Sequence, residues 1–413
     1  MRWMLGASAR LWRSSTSTER AACKAMGLLG TGWLAAVCLL LSACTFHKAP
    51  PSYVAHTEQS GAVVCSEHPA TRCELSSVVW VRHPGQTGEL VFGNDKPAAS
   101  ARESSVFSMP FDGGVFLADG RKNFYAMAPF SEAAKFEAMS VTPDGKHLVA
   151  MTAFDRYSDA DSRLDRFNAL MAWPAGAAQQ AQLVSMGLRD GHPSSSAIRP
   201  RIARAIQTHF GAPSDYFKVE GLAILPGGRL LLGIREVGNT HTDFEYRVLL
   251  IEGRYRIEQG VFVLDAQSEF AVVRDFTPAS KIVGRNVGLS SLEYDPAQHQ
   301  LYLLTTYEST AAPAIGAFLW VLPDEAGALG RTPYLVKNPD GTPFELTHKA
   351  EGLAVLDGGR VFVIHDDDRN ATVIKTTGPT PEKERIRKPN EAAFEILKIS
   401  APSETPHGGP AAH

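Results

Sequence analysis

Cysteine is scarce in this chain, five in 413 residues, and no two of them stand in a Cys-x-x-Cys spacing. A cysteine-based metal site therefore has no support. Also missing are G-x-S-x-G, H-E-x-x-H and the P-loop, so serine hydrolase, zincin and NTPase readings fall away. A basic surface is lacking too. Residues 1–43 hold five Lys/Arg and one Asp/Glu, which leaves 36 basic against 43 acidic residues beyond them, a formal charge of −7. General nucleic-acid binding needs the opposite sign.

The one long apolar run lies near the start. Arg20 and Lys24 precede a stretch from about Met26 to Leu41, closed by Leu41-Ser42-Ala43-Cys44. It is short for a permanent span and is placed as a secretory leader. Its ending resembles a bacterial lipoprotein signal. That resemblance implies cleavage before Cys44, lipid on its thiol, and a protein held at the cell envelope. Thr45, where Asp would retain an inner-membrane lipoprotein, points to the outer membrane. Cys23 and Cys38 leave with the leader. Cys65 and Cys73 remain as an even pair in an exported domain and are expected to form a disulfide.

What the chain does have is a repeated sentence. "KVEGLAILPGGRLLLGIRE" (218–236) returns as "KAEGLAVLDGGRVFVIHDD" (349–367). In each, apolar residues fall on alternate positions on both sides of a Gly-Gly turn, the pattern of a β-hairpin. Weaker copies are "KFEAMSVTPDGKHLVAMTAFD" (135–155), "GLSSLEYDPAQHQLYLLTTYE" (288–308) and "ELSSVVWVRHPGQTGELVFGND" (74–95). Taking residues 76, 137, 220, 290 and 351 as marks, the spacings are 61, 83, 70 and 61. Hairpins that cannot stand alone and recur at such a period predict an all-β fold, a β-propeller over 72–400. Six blades fit best if "GVFVLDA" and "EFAVVRDF" (260–276) supply an unmarked one; five come next. The longest spacing is explained by "SSSAIRPRIARAIQTHFG" (194–211), a helical insertion with Ile198, Ile202, Ala205, Ile206 and Phe210 on one face. It is expected either over the channel mouth or against a blade's side. Residues 44–71 are expected as a tether, 377–391 as an exposed loop and 401–413 as a disordered tail. The alternating 392–399 would close the ring beside an early strand.

In a propeller the Lys-x-Glu pairs open equivalent strands, so Glu137, Glu220 and Glu351 should gather near the axis. The hairpins' far ends return to the same rim with Asp95, Asp155, Glu236, Glu308 and the run Asp366, Asp367, Asp368. Carboxylates crowded together repel unless protonated or bridged, and hard oxygen ligands suit Ca²⁺. Glu137, Glu220, Glu351 and Asp366–Asp368 are accordingly the candidate metal ligands. Lys218, Lys349 and Arg235, with Lys135 and Arg285 nearby, are candidate holders of an anion such as phosphate. Lys218 and Lys349 are expected to reach solvent. His365 is either a general acid or a strand-end residue. The same Lys-x-Glu pairs would serve equally as salt bridges pinning blades together.

"VEGLA", "AEGLA" and "GRNVGLSSLEYD" resemble the phytase-like propeller family of exported bacterial proteins, which includes members of unknown function. The resemblance implies metal positions at Glu220 and Glu351, in matching EGL motifs. Ser76 and Ser290 depart by lacking the Glu, and the phytases' Asp-rich motif is missing. Two functions follow as expectations. One is a calcium-dependent phosphoester hydrolase with a small phosphorylated ligand; the other is a non-catalytic, monomeric scaffold for a partner protein or polysaccharide.

Overall fold

The computed structural model describes residues 52–400, apart from 83–87, 99, 310–313, 325–330, 369 and 379–380. The leader, Cys44 and the segment 401–413 lie outside the described residues. No helix among those described is long and apolar enough to cross a membrane.

Among the described residues five antiparallel sheets of four or five strands are arranged as propeller blades, and two small two-stranded sheets accompany them. Their inner strands are Leu75–Val81, Phe136–Val141, Tyr216–Leu225, Gly288–Asp295 and Ala350–Leu356, in blades 1 to 5. Each packs on the inner strand of the next blade, and the fifth packs on the first. The blade number is five, the second of the two values the spacing suggested. Val261–Leu264 and Ala271–Asp275, the candidates for a sixth blade, both pair with Asp243–Glu258 and so widen blade 3.

An inner strand is clamped between two neighbours, which is why it is almost continuously buried, polar positions included. In blade 3, Leu222 and Ile224 enter the core shared with blade 2, while Ala223 and Leu225 enter the core shared with blade 4. Five such cores exist, one at each junction between blades. Burial that is distributed around the ring couples all the blades.

Ring closure revises the expected tether. From Val54 the chain is strand, and Val54–Val64 is the outer strand of blade 5, paired with Glu391–Ser400. Eight of its residues carry at least partial burial, but the pattern is irregular and broken by a bulge at Glu58, so no clean alternation marks it. The expected disulfide is formed: Cys65 and Cys73, with Cα atoms 5.6 Å apart, join the end of this closing strand to the start of blade 1. The expected loop 377–391 contains Lys383–Ile386, which forms a two-stranded sheet with Val373–Thr376.

The insertion is helical, α1 (Ile198–Phe210), and buries Ile198, Ile202, Ala205 and Ile206 in the core between blades 2 and 3. It therefore lies against a blade, the second of its two expected positions. Gly211 ends it at φ 70°, a conformation that costs glycine nothing. No serine side chain caps its start; Ala197 holds that position.

Candidate functional site

The five marks are one structural position. In every blade the register of the inner strand slips at the mark: at Ser76, Glu137, Glu220, Ser290 and Glu351. A bulge leaves one residue without a partner and re-aims its side chain. Here it turns five equivalent side chains out of the blade cores and toward the axis. All five are buried. The serines bond across a junction: Ser76 Oγ donates to the Phe136 carbonyl at 2.6 Å and Ser290 Oγ to that of Ala350 at 2.8 Å. Each accepting carbonyl belongs to the residue just before the next blade's Glu mark.

The three glutamates converge, as the repeat predicts, and they arrive with bases. Lys218 Nζ lies 3.0 Å from Glu137 and also contacts Glu220. Arg235 donates to Glu220 at 2.9 Å and lies 3.5 Å from Glu351. Lys349 is 2.9 Å from Glu351, and Lys135 is 3.6 Å from Glu137. Farther out, Asp155 holds Lys135 at 2.6 Å, and Glu308 holds both Arg235 and Lys349 at 2.9 and 3.1 Å. The three expected anion holders are thus already paired with carboxylates. Lys349 is 6% exposed, so the expectation that it reaches solvent fails. Lys218 retains only slight exposure.

Arg235 was expected only as a rim cation, and it is the centre of the network. It too is a bulged residue, unpaired between Ile234 and Glu236 on the second strand of blade 3. It fills the space where blade 4 lacks a lysine. Residue 288 stands where the others carry Lys135, Lys218 and Lys349, and it is glycine. A Cβ there would lie 2.8 Å from Arg235 Cγ. Sequence reading missed this exchange because it spans two blades.

The charges shift one another. Burial pushes the Glu137 carboxyl up to about 8 against the pull of Lys218 and Lys135. Burial would raise Glu220 as well, but Arg235 and Lys218 outweigh it and bring it down to about 2. Burial raises Glu351 too. Arg235, Lys218 and Lys349, which burial alone would discharge, are held well into their charged range by these carboxylates.

The Asp run divides. Asp366, buried and raised well above the carboxylate range by that burial, meets Glu74 and Asp95 of blade 1, with ligand oxygens all within 4.8 Å of one another. Lys96 contacts both Glu74 and Asp95. Asp367 turns into blade 5, accepting from the Lys349 backbone N–H at 3.0 Å and from Thr372 at 2.6 Å, and pairing with His348 Nδ1 at 2.7 Å. Asp368 holds Lys349 at 2.9 Å. His365 is buried inside blade 5, 3.6 Å from Glu395, and takes no part in the rim. Glu74 was missed as a candidate, although it occupies the position that is lysine in three of the other blades.

No protein-family model matches the sequence, and neither does any curated protein. The resemblance to phytase-like propellers therefore rests on its short motifs alone. Among solved structures, a DUF4221 member from Bacteroides vulgatus is similar at 9% identity and TM-score 0.38, over 84% of this chain and 99% of its own. An α-L-arabinofuranosidase from Podospora anserina, in complex with cellotriose, is similar at 8% identity and TM-score 0.43, over 82% and 97%. The Dos1 propeller is similar at 9% and 0.32, over 84% and 95%.

Proposed function

We propose that this chain is a lipid-anchored envelope propeller that binds a partner protein or polysaccharide on its faces. On this reading its Lys-x-Glu motif closes the ring and does no chemistry. One observation supports this above the others: Glu137, Glu220 and Glu351 are buried and each is already paired with two bases, which for Glu137 and Glu351 come from two different blades. A calcium ion among them would sit beside four cationic groups, so the ring does not fit the ion.

A calcium-dependent phosphoester hydrolase is the second reading, favoured by the oxygen spacing of Glu74, Asp95 and Asp366. These three suit a hard cation once Lys96, a third exposed, swings away. A bound ion would polarise a phosphoryl oxygen there.

Melting with and without Ca²⁺, beside a turnover assay on phytate and simple phosphomonoesters, separates the readings. The first expects no calcium effect and no turnover, and a lower Tm in Glu220→Ala plus Glu351→Ala in either buffer. A calcium-dependent rise in Tm that disappears in Asp366→Asn, together with turnover, would favour the second.

A further inference from the structure

The ionic ring occupies the start of the inner strands; their far ends frame something different. There a cavity of about 200 Å³ opens on the axis, lined by Val79–Arg82 of blade 1, Val141–Pro143 of blade 2, Glu293–Gln298 of blade 4 and Val355–Gly359 of blade 5. We propose that this end of the channel is a second binding site, which takes a small, uncharged, hydroxyl-rich molecule, a monosaccharide or a polyol, on the buried carboxyl of Glu293.

The argument begins with a hydrogen-bond chain across the axis. The Ile224 backbone N–H of blade 3 donates to Ser140 Oγ of blade 2 at 3.2 Å. The Ser140 hydroxyl in turn donates to Glu293 Oε1 at 3.3 Å. Glu293 is 2% exposed, and its Oε2 has no hydrogen-bond partner among the described residues. Burial raises this carboxyl well above the ordinary carboxylate range, against Ser140 and the backbone N–H groups of Tyr294 and Val141. Its Oε2 is thus a buried, unpartnered oxygen on a residue that lines the cavity. A buried polar group left in this state is costly, so a partner is expected.

The surroundings select the partner's charge. A cation would require Glu293 to ionise, which its burial opposes. Among the described residues an anion would find no free base, because Arg82, the one cation they place in the lining, contacts Asp357 across the blade 1–blade 5 junction and lies 5.0 Å over the Trp80 ring. Asp295 and Asp357 add further negative character. An uncharged group that hydrogen-bonds to Glu293 and to a neighbouring group remains. A hydroxyl does both, and the inner strands, as sheet edges, turn backbone N–H and C=O groups toward the axis. Trp80 and Tyr294 supply ring surface for C–H groups. The volume lies below that of a drug-sized pocket, about 300–1,000 Å³, and suits one small ring. This site shares no residue with the ionic ring and stands however that ring is read.

The test is saturation-transfer NMR on the full chain with three probes: glycerol, xylose and glucose. At least one is expected to bind saturably. Glu293→Leu should weaken it about ten-fold or more, the effect of losing one buried hydrogen bond. Glu293→Gln keeps a donor and should stay within about three-fold of the parent. Val355→Trp, which fills the cavity without touching Glu293, should abolish binding and covers the case in which Glu293→Leu fails to fold. The proposal is overturned if no probe binds, leaving water as the only partner, or if binding survives Glu293→Leu or Val355→Trp unchanged.

Discussion

Single residues of this propeller act on partners from other blades. Arg235 belongs to blade 3, yet its guanidinium serves Glu220 of its own blade, Thr306 and Glu308 of blade 4, and Glu351 of blade 5. Buried ion pairs are weak stabilisers against a hydrophobic alternative, but losing one partner strands the other. Arg235→Leu is therefore expected to cost about 3–5 kcal/mol in urea unfolding. His348 and Asp367 make a second residue-scale case. Burial would lower His348, but the bond to Asp367 raises it. Asp367, which burial would raise, is brought down to about 2 by His348. A raised histidine stabilises below its unfolded pKa of about 6.5 and loses that contribution as pH rises through its folded value. A depressed carboxylate stabilises above about 4 and loses it as pH falls toward 2. The pair should contribute most between roughly pH 4 and 6.5. Urea unfolding of Asp367→Asn should show its largest deficit near pH 5 and a smaller one near pH 8; an equal deficit at both would show that the pair does not titrate.

At the scale of elements, much of blades 2, 3 and 5 was legible in the sequence. Leu222, Ile224 and Leu353 are buried as the alternation requires, and the Gly-Gly turns sit between the strands expected. The bulge at each mark was not legible, since a register slip leaves no composition of its own. The closing strand was hidden for a related reason. "HTEQSG" within Val54–Val64 is polar because an outer strand has one side in water, and only its pairing with Glu391–Ser400 reveals it. The consequence is measurable. A chain begun at residue 52 keeps the strand and the disulfide, and should melt in one transition close to the parent. A chain begun at residue 72 loses both. It exposes the edge of Glu391–Ser400, forfeits the roughly 2–3 kcal/mol that a ring of this size contributes, and should aggregate or melt far lower. Equal Tm values for the two would show that Val54–Val64 does not close the ring.

The whole molecule joins a described propeller to a segment outside the described residues, and its location depends on the latter. The fold was readable because a propeller writes its period into the chain. The candidate site was readable only in part, because Glu137, Glu220 and Glu351 recur in a fixed phrase whereas Glu74, Glu293 and His348 do not. A lipid anchor is an expectation that rests on "LSAC", behind Arg20, Lys24 and the apolar run to Leu41. If lipid is added at Cys44, membranes from cells making the protein should hold it, and detergent should release it. A single acyl chain gives weak attachment, so the multiple chains of a lipoprotein are what stable retention requires. Cys44→Ser should leave an unprocessed precursor or send the protein to the soluble fraction. Globomycin, which blocks lipoprotein signal cleavage, should make the parent precursor accumulate and leave the serine variant unaffected. Unchanged size and fractionation in both experiments would remove the anchor, while the propeller, which uses no residue before 52 in its described strands, would stand.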